Sequence, residues 1–303
     1  LSLKTSYPVQ ATRGCPHDCS YCCVTRFYRR SYRCRPIEHI IRDIRAHGGR
    51  FMHFVDDNLM ANRPFAKELF RRMAGLDVLW GTQTSIEIAQ DEELLQLAYR
   101  AGCRIVMIGM ESLSQKNLEG VNKGWGRAAE YRDAIRTIQK NGIAVHALII
   151  LGLPHDTRAT FDQTVDFLVD AGAAAAEFFI FTPYPGTPAG TAYLEQGRIV
   201  DWDVTHYREP YVVFKHEHLS ARDIQEGFWR ALSRFYSLRN ICRRMTRSGL
   251  KNAKLQLVHN LFYWWKIKRK IVPTHFQRGS YQEMSFPGEE GAPAARGWTG
   301  RSR

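Results

Sequence analysis

The sequence predicts an α/β fold, a partial (β/α)6 TIM-like barrel followed by an α-helical C-terminal extension. Three observations predict it. Six short apolar runs alternate with amphipathic helical stretches, polar residues follow each run, and the period changes beyond Gly197. The 303 residues are 44% hydrophobic and 24% charged, which suits a large core and excludes a collagenous or wholly disordered chain.

Strands are expected at Tyr7–Ala11, Phe51–Val55, Leu79–Thr84, Arg104–Gly109, Ala144–Leu151 and Ala175–Phe181. Between them, Ile37, Ile40, Ile41 and Ile44 form one helical stripe, as do Phe65, Leu69 and Met73. Tyr131, Ile135 and Ile138 form another, and Phe161, Val165 and Leu168 a fourth. Asp91 before Glu92 and Glu93 marks a helix start, and Asn141–Gly142 a helix stop. Repeated β–α units imply parallel strands with right-handed crossovers, and strands this short and regular favour a curved, partly closed wall over a flat sheet.

Beyond Gly197, Ser220 and Asp223 read as a capping box for a helix with Phe228, Leu232 and Phe235 on one face. A second helix over Lys251–Lys270 combines Leu257, Leu261, Trp264 and Trp265 with a closing basic cluster. The domain reading is a barrel over 1–197, a basic helical region over 198–272 and a disordered tail over 273–303, rich in Gly, Pro, Ser and Arg.

The formal net charge of +13 is uneven: Ile224 to Val272 holds twelve Lys/Arg against one acid, Glu226, and the first fifty residues hold ten against three. Such a distribution marks an interaction surface for nucleic acid, anionic lipid or an acidic redox partner, with solvated helix faces as the alternative. The longest apolar run, Ile143 to Leu153, contains His146 and is too short to span a bilayer; no signal-peptide pattern opens the chain. The expectation is a soluble, cytoplasmic protein. The first residue is Leu1 rather than Met, which leaves an upstream piece open.

Seven cysteines, an odd number, argue against a disulfide framework, and five of them crowd from Cys15 to Cys34. Cys15, Cys19 and Cys22 follow the first strand in CPHDCSYC. Three thiolates so spaced can hold three corners of a cubane iron–sulfur cluster and leave the fourth iron open. The alternatives are a structural zinc site, with His17 or Cys23 as fourth ligand, and unligated thiols; paired CxxC knuckles, the usual zinc spacing, are lacking.

RGCPHDCSYC resembles the signature of the radical S-adenosylmethionine superfamily. FVDDN, IGMESLS, VNKG, GLPHDT and TPYPGTP extend the likeness to the members usually fused to an N-terminal cobalamin-binding domain, a domain this chain does not show. The resemblance implies that Cys15, Cys19 and Cys22 hold a [4Fe-4S] cluster whose open iron chelates S-adenosylmethionine. It implies reductive cleavage to methionine and a 5′-deoxyadenosyl radical, with Tyr21 near the adenine. An acidic flavodoxin or ferredoxin-type electron donor is implied as partner, and cobalamin only if an upstream domain is missing.

In a β/α barrel the working rim lies at the C-terminal strand ends. There the sequence places Asp56, Asp57 and Asn58, then Gln83 and Ser85, Glu111 and Ser112, Gly152 to Asp156, and Thr182 to Tyr184. An acid suits the ammonium of S-adenosylmethionine, and Asp56, Asp57 and Glu111 qualify. The superfamily's Gly-Gly-Glu-like segment reads VDDN here, so the amine partner stays open among them. Asp57 and Asn58 also suit a helix-capping turn, and Glu111 a rim salt bridge. Gly152 and Pro154 suit a turn that brings backbone to the adenine.

Cys23 and Cys34 read as spare, Cys103 as core, and His216 and His218 as surface residues. The aromatic-basic LFYWWKIKRK stretch suits peripheral contact with a membrane, or a helix covering the open barrel. The functional reading is a radical enzyme that modifies, by methylation among other outcomes, a small-molecule or lipid substrate. The alternatives are a tRNA-modifying methylthiotransferase-like enzyme, using the positive charge for phosphates, and a non-catalytic iron–sulfur or zinc redox module.

Overall fold

The computed structural model describes residues 6–247 and 253–271. Strand β1 (Tyr7–Val9) leads into a short antiparallel hairpin, β2 (Thr12–Arg13) with β3 (Arg33–Cys34), whose loop carries the cysteines and helix α1 (Cys23–Phe27). Next come α2 (Ile37–His47), β4 (Phe51–Phe54), α3 (Arg63–Met73), β5 (Leu79–Thr84), α4 (Glu92–Arg100) and β6 (Cys103–Glu111). Helices α5 (Gln115–Gly120) and α6 (Tyr131–Lys140), strand β7 (Ala144–Leu151), α7 (Arg158–Ala171), β8 (Ala175–Ile180) and α8 (Pro188–Glu195) complete the series.

The six long-range strands pair in parallel in the order β1–β4–β5–β6–β7–β8. Neighbours in sequence are neighbours in space, the order of a barrel wall rather than of a doubly wound sheet. Strands β1 and β8 are the two ends of this sheet, so the barrel is partial, as expected. The helical stripes face it: α3 buries Ala66, Leu69, Phe70 and Met73, α6 buries Tyr131, Ile135 and Ile138, and α7 buries Phe161, Val165 and Leu168. Each such large apolar side chain contributes about 2 kcal/mol by leaving water. Asn62 caps α3 by accepting from the Phe65 amide at 3.1 Å, so the capping role falls to Asn62 rather than to Asp57 or Asn58.

Two strand ends differ from expectation by two residues, for local reasons. Strand β1 stops at Val9 because the Asp56 carboxylate takes the amides of Ala11 and Thr12. Strand β6 runs on to Glu111 through a register shift between Gly109 and Glu111, and Glu111 adopts a left-handed φ of 60°.

The extension contains α9 (Ala221–Phe235), opened by the expected Ser220–Asp223 capping box, then α10 (Leu238–Arg247) and α11 (Ala253–Lys268). Helix α9 buries Phe228, Leu232 and Phe235 in the same core as the barrel. Helix α11 buries Gln256, Asn260, Tyr263 and Ile267, while Leu257, Leu261 and Trp265 face outward. The expected tail, 273–303, lies outside the described residues.

His216 corrects a surface assignment. It is buried, with Nε2 2.9 Å from the Leu153 carbonyl and Nδ1 accepting from the amides of His218 and Leu219. His218 is exposed, as expected. The alternation of a short HxH segment carries no sign of which ring turns inward.

Candidate active site

The cysteine loop is held from below by the residues after β4. Asp56 accepts from the Ala11 amide at 3.2 Å, from the Thr12 amide, and from Thr12 Oγ1 at 2.6 Å. Asp57 Oδ2 accepts from the Gly14 amide at 3.2 Å, and Asn58 Nδ2 lies 3.9 Å from Cys15 Sγ. Gly14 has φ +86°, and a Cβ there would fall 2.0 Å from the Ser31 carbonyl oxygen, so only glycine lets the loop close. FVDDN is thus the cradle of the cysteine loop.

Cys19 is buried and Cys15 and Cys22 are half-buried. Burial pushes the Cys15 thiol up and the Cys19 thiol up to about 11, against the pull of the Lys123 cation. Such thiols are poor nucleophiles when bare and become thiolates when a metal replaces the proton. Cys15 and Cys22 both act on the charge of Cys19, so the three sulfurs share one electrostatic site. Among the described residues, no three His, Cys, Asp or Glu side chains close to single-ion spacing. A cubane sets its cysteine sulfurs wider than a zinc tetrahedron does, because each binds a different iron. Three thiols gathered on one loop are the donor chemistry that an iron–sulfur cluster takes.

A second loop clasps the cysteine loop from the side. The Ser20 amide donates to the Val121 carbonyl at 2.9 Å, Asn122 Nδ2 to the Asp18 carbonyl at 2.7 Å, and the His17 and Trp125 rings stack at 3.9 Å. Lys123 lies between them, buried, with Nζ 2.7 Å from Glu111 Oε1 and 5.2 Å from the Trp125 ring centre. Burial pulls the Lys123 pKa down, but Glu111 and the thiols carry it above its ordinary value. Tyr21 donates its hydroxyl to the same Glu111 oxygen at 2.8 Å, and burial with that carboxylate raises the phenol well above its ordinary value. Glu111 is therefore a rim salt bridge, but a buried one within the site. Residues Val121–Gly124 were legible as the VNKG motif, yet nothing in the spacing gave Lys123 or Trp125 a role. The α8 end closes the third side, where the Ala189 amide donates to the Ser20 carbonyl at 3.0 Å.

The residues after β6 and β7 form one network. Asp156 accepts from the Gly152 and Leu153 amides at 2.9 and 3.1 Å and from Asn117 Nδ2 at 2.8 Å. Asn117 also donates to Ser112 Oγ at 3.3 Å and accepts from the His155 amide at 2.9 Å. Burial pushes the Asp156 carboxyl up to about 6 against these donors. Gly152, with φ +86°, and Pro154 form the expected turn, braced by Asp156. Gln83 is exposed at the end of β5 and Ser112 is buried at the end of β6. Asn117, like Lys123, stands outside the expected site set, because a polar residue inside a helix carries no positional signal.

Comparison with known proteins gives the family and the fold. The model of the Radical SAM superfamily matches residues 9–168. The bacteriochlorophyllide d C-12(1)-methyltransferase of Chlorobaculum tepidum is 32% identical over 244 residues, covering 78% of this chain and 53% of that protein. The anaerobic magnesium-protoporphyrin IX monomethyl ester cyclase of Cereibacter sphaeroides is 29% identical over 245 residues, covering 78% and 39%. Among solved structures, the cobalamin-dependent S-adenosylmethionine radical enzyme OxsB superposes with a TM-score of 0.60 at 13% identity, covering 89% of this chain and 48% of that one. The radical S-adenosylmethionine methyltransferase TsrM from Kitasatospora setae gives 0.57 at 20% identity, covering 74% and 46%. At these identities the structural likeness shows the fold alone. The chain spans about half the length, or less, of the curated relatives it matches.

Proposed function

From the premise that this chain belongs to the radical S-adenosylmethionine superfamily, we propose that it carries a [4Fe-4S] cluster on Cys15, Cys19 and Cys22. It would bind S-adenosylmethionine at the open iron and modify a small-molecule or lipid substrate, with methylation the leading outcome. When bound, the cluster supplies the electron that splits the sulfonium into methionine and an adenosyl radical.

The chain's own residues hold and shield that chemistry. Asp56, Asp57 and the Val121–Trp125 clasp fix the loop so that the three sulfurs are presented together. Asp57 is our choice for the ammonium of S-adenosylmethionine, because Asp56 is committed to Ala11 and Thr12 and Glu111 to Lys123 and Tyr21. Tyr21 and the Gly152–Pro154 turn would flank the adenine, with Gln83 and Ser112 on the same rim. The observation that carries the reading is the clasped loop of three thiols at the C-terminal strand ends.

Two of the named relatives act on tetrapyrroles, which makes a molecule of that class the first substrate to test. Cobalamin would be used only if the protein carries an upstream domain that binds it. A flavodoxin or ferredoxin-type donor would meet the exposed arginines of the loop, Arg26, Arg29, Arg30 and Arg33, around Phe27, one helical turn from Cys22.

Anaerobic reconstitution with iron and sulfide, reduction, and mass spectrometry for 5′-deoxyadenosine tests the reading. The wild-type chain should form the product and Cys19→Ala should not, with unchanged circular dichroism. Product at the wild-type rate in Cys19→Ala, or none from the reconstituted wild type, would overturn it.

A further inference from the structure

Helix α11 turns Gln256, Asn260, Tyr263 and Ile267 inward and leaves an apolar stripe outward. Asn260 donates to the Ala174 carbonyl at 3.1 Å and accepts from Arg244 at 2.7 Å, while Tyr263 packs on Tyr236 with ring centres 4.9 Å apart. Arg244, itself buried, also donates to the carbonyls of Ala173 and Ala174 at 3.1 and 2.8 Å. These bonds fix the rotation of the helix. Leu257, Val258, Leu261, Phe262 and Trp265 are left on the outer face, 39–53% exposed. Their spacing of one, three and four residues makes a continuous stripe rather than scattered exposed side chains.

We propose that this outer face of α11 seats the protein on a lipid surface carrying anionic headgroups. Charge selects that occupant. From Leu238 to Ile271 the chain holds ten Lys/Arg and no Asp or Glu. Four of the cations, Lys266, Lys268, Arg269 and Lys270, close the stripe. Two fold back on its rings: Lys266 lies 4.8 Å from the Phe262 ring centre and Arg269 4.2 Å from that of Trp265. Rings that sink to the headgroup level with cations at their edge are what an in-plane helix presents to a bilayer. A second copy on the same face would set two acid-free cationic patches against each other. No helix of the described residues is long and apolar enough to cross a membrane, so the contact is peripheral. The helix packs at the end of the barrel where β7 and β8 begin, opposite the cysteine loop, so this docking is independent of the catalytic reading.

Flotation of the full chain with vesicles of phosphatidylcholine, alone or mixed with phosphatidylserine, tests the proposal. Binding is expected to the mixed vesicles only and to weaken with salt. Phe262→Ser/Trp265→Ser removes the rings, and Lys268→Glu/Arg269→Glu reverses the charge while keeping them. Each pair should weaken binding by roughly tenfold or more, with circular dichroism unchanged. Brominated lipid should quench Trp fluorescence in the wild type and less in Trp265→Phe. Absence of wild-type binding, binding by both pairs equal to that of the wild type, or self-association through this face without vesicle binding would overturn the proposal.

Discussion

Lys123 and Glu111 meet at 2.7 Å with both side chains buried, joining the end of β6 to the loop that clasps the cysteines. A buried pair of this kind is costly to break, because removing one partner strands the other charge. Lys123→Met should destabilise the cluster-free protein by about 3–5 kcal/mol in urea denaturation. The double variant Lys123→Met/Glu111→Gln should recover much of that loss.

The same pair sits beside the sulfurs, so its two charges should act on the cluster with opposite sign. In an EPR-monitored titration, Lys123→Met should move the midpoint potential more negative and Glu111→Gln more positive. Shifts of the same sign would mean that the pair acts only by holding the loop.

Asp56 carries the first turn of the loop on three donors, and Asp56→Ala would leave two backbone amides without their acceptor. A loss of about 2–3 kcal/mol is expected. The accompanying readout is faster reaction of the Cys15 and Cys19 thiols with a disulfide reagent in the cluster-free protein.

Asp156 should give the protein a falling stability with pH. Its folded value is about 6 against an ordinary 3.8, so between those values the folded state holds the extra proton. Stability from this group is full below the ordinary value and is lost as pH rises through about 6, on the order of 2–3 kcal/mol in all. Asp156→Asn should flatten that slope in denaturation curves taken across the window.

His216 should give the opposite slope. Burial lowers its folded pKa below the ordinary 6.5, and Nδ1 accepts two amides, so the ring is neutral with its proton on Nε2. Stability from His216 is full above 6.5 and is lost as pH falls toward the folded value. Nitrogen NMR should show the Nε2–H tautomer, and His216→Ala should remove the acid-side loss.

The barrel was legible because each strand is a short apolar run and each wall helix a clean stripe, as Leu69 with Met73 and Ile135 with Ile138 show. The gathering of Cys15, Cys19 and Cys22 on one loop was legible from their spacing. Lys123 was not, since a single Lys in VNKG says nothing of a carboxylate twelve residues earlier until β6 bulges and turns Glu111 toward it. Asp56 and Asp57 read as equal acids in sequence; the free amides of Ala11, Thr12 and Gly14 separate them. Which face of α11 turns inward was not legible, because the hydrogen bonds of Asn260 and Arg244 decide it.

The most direct measurement is the EPR spectrum of the anaerobically reconstituted, reduced chain before and after S-adenosylmethionine is added. The signal of a reduced [4Fe-4S] centre whose g-values shift on addition, and which is lost in Cys19→Ala, is predicted. Tightly held zinc in place of iron, or an iron signal indifferent to S-adenosylmethionine, would contradict the account.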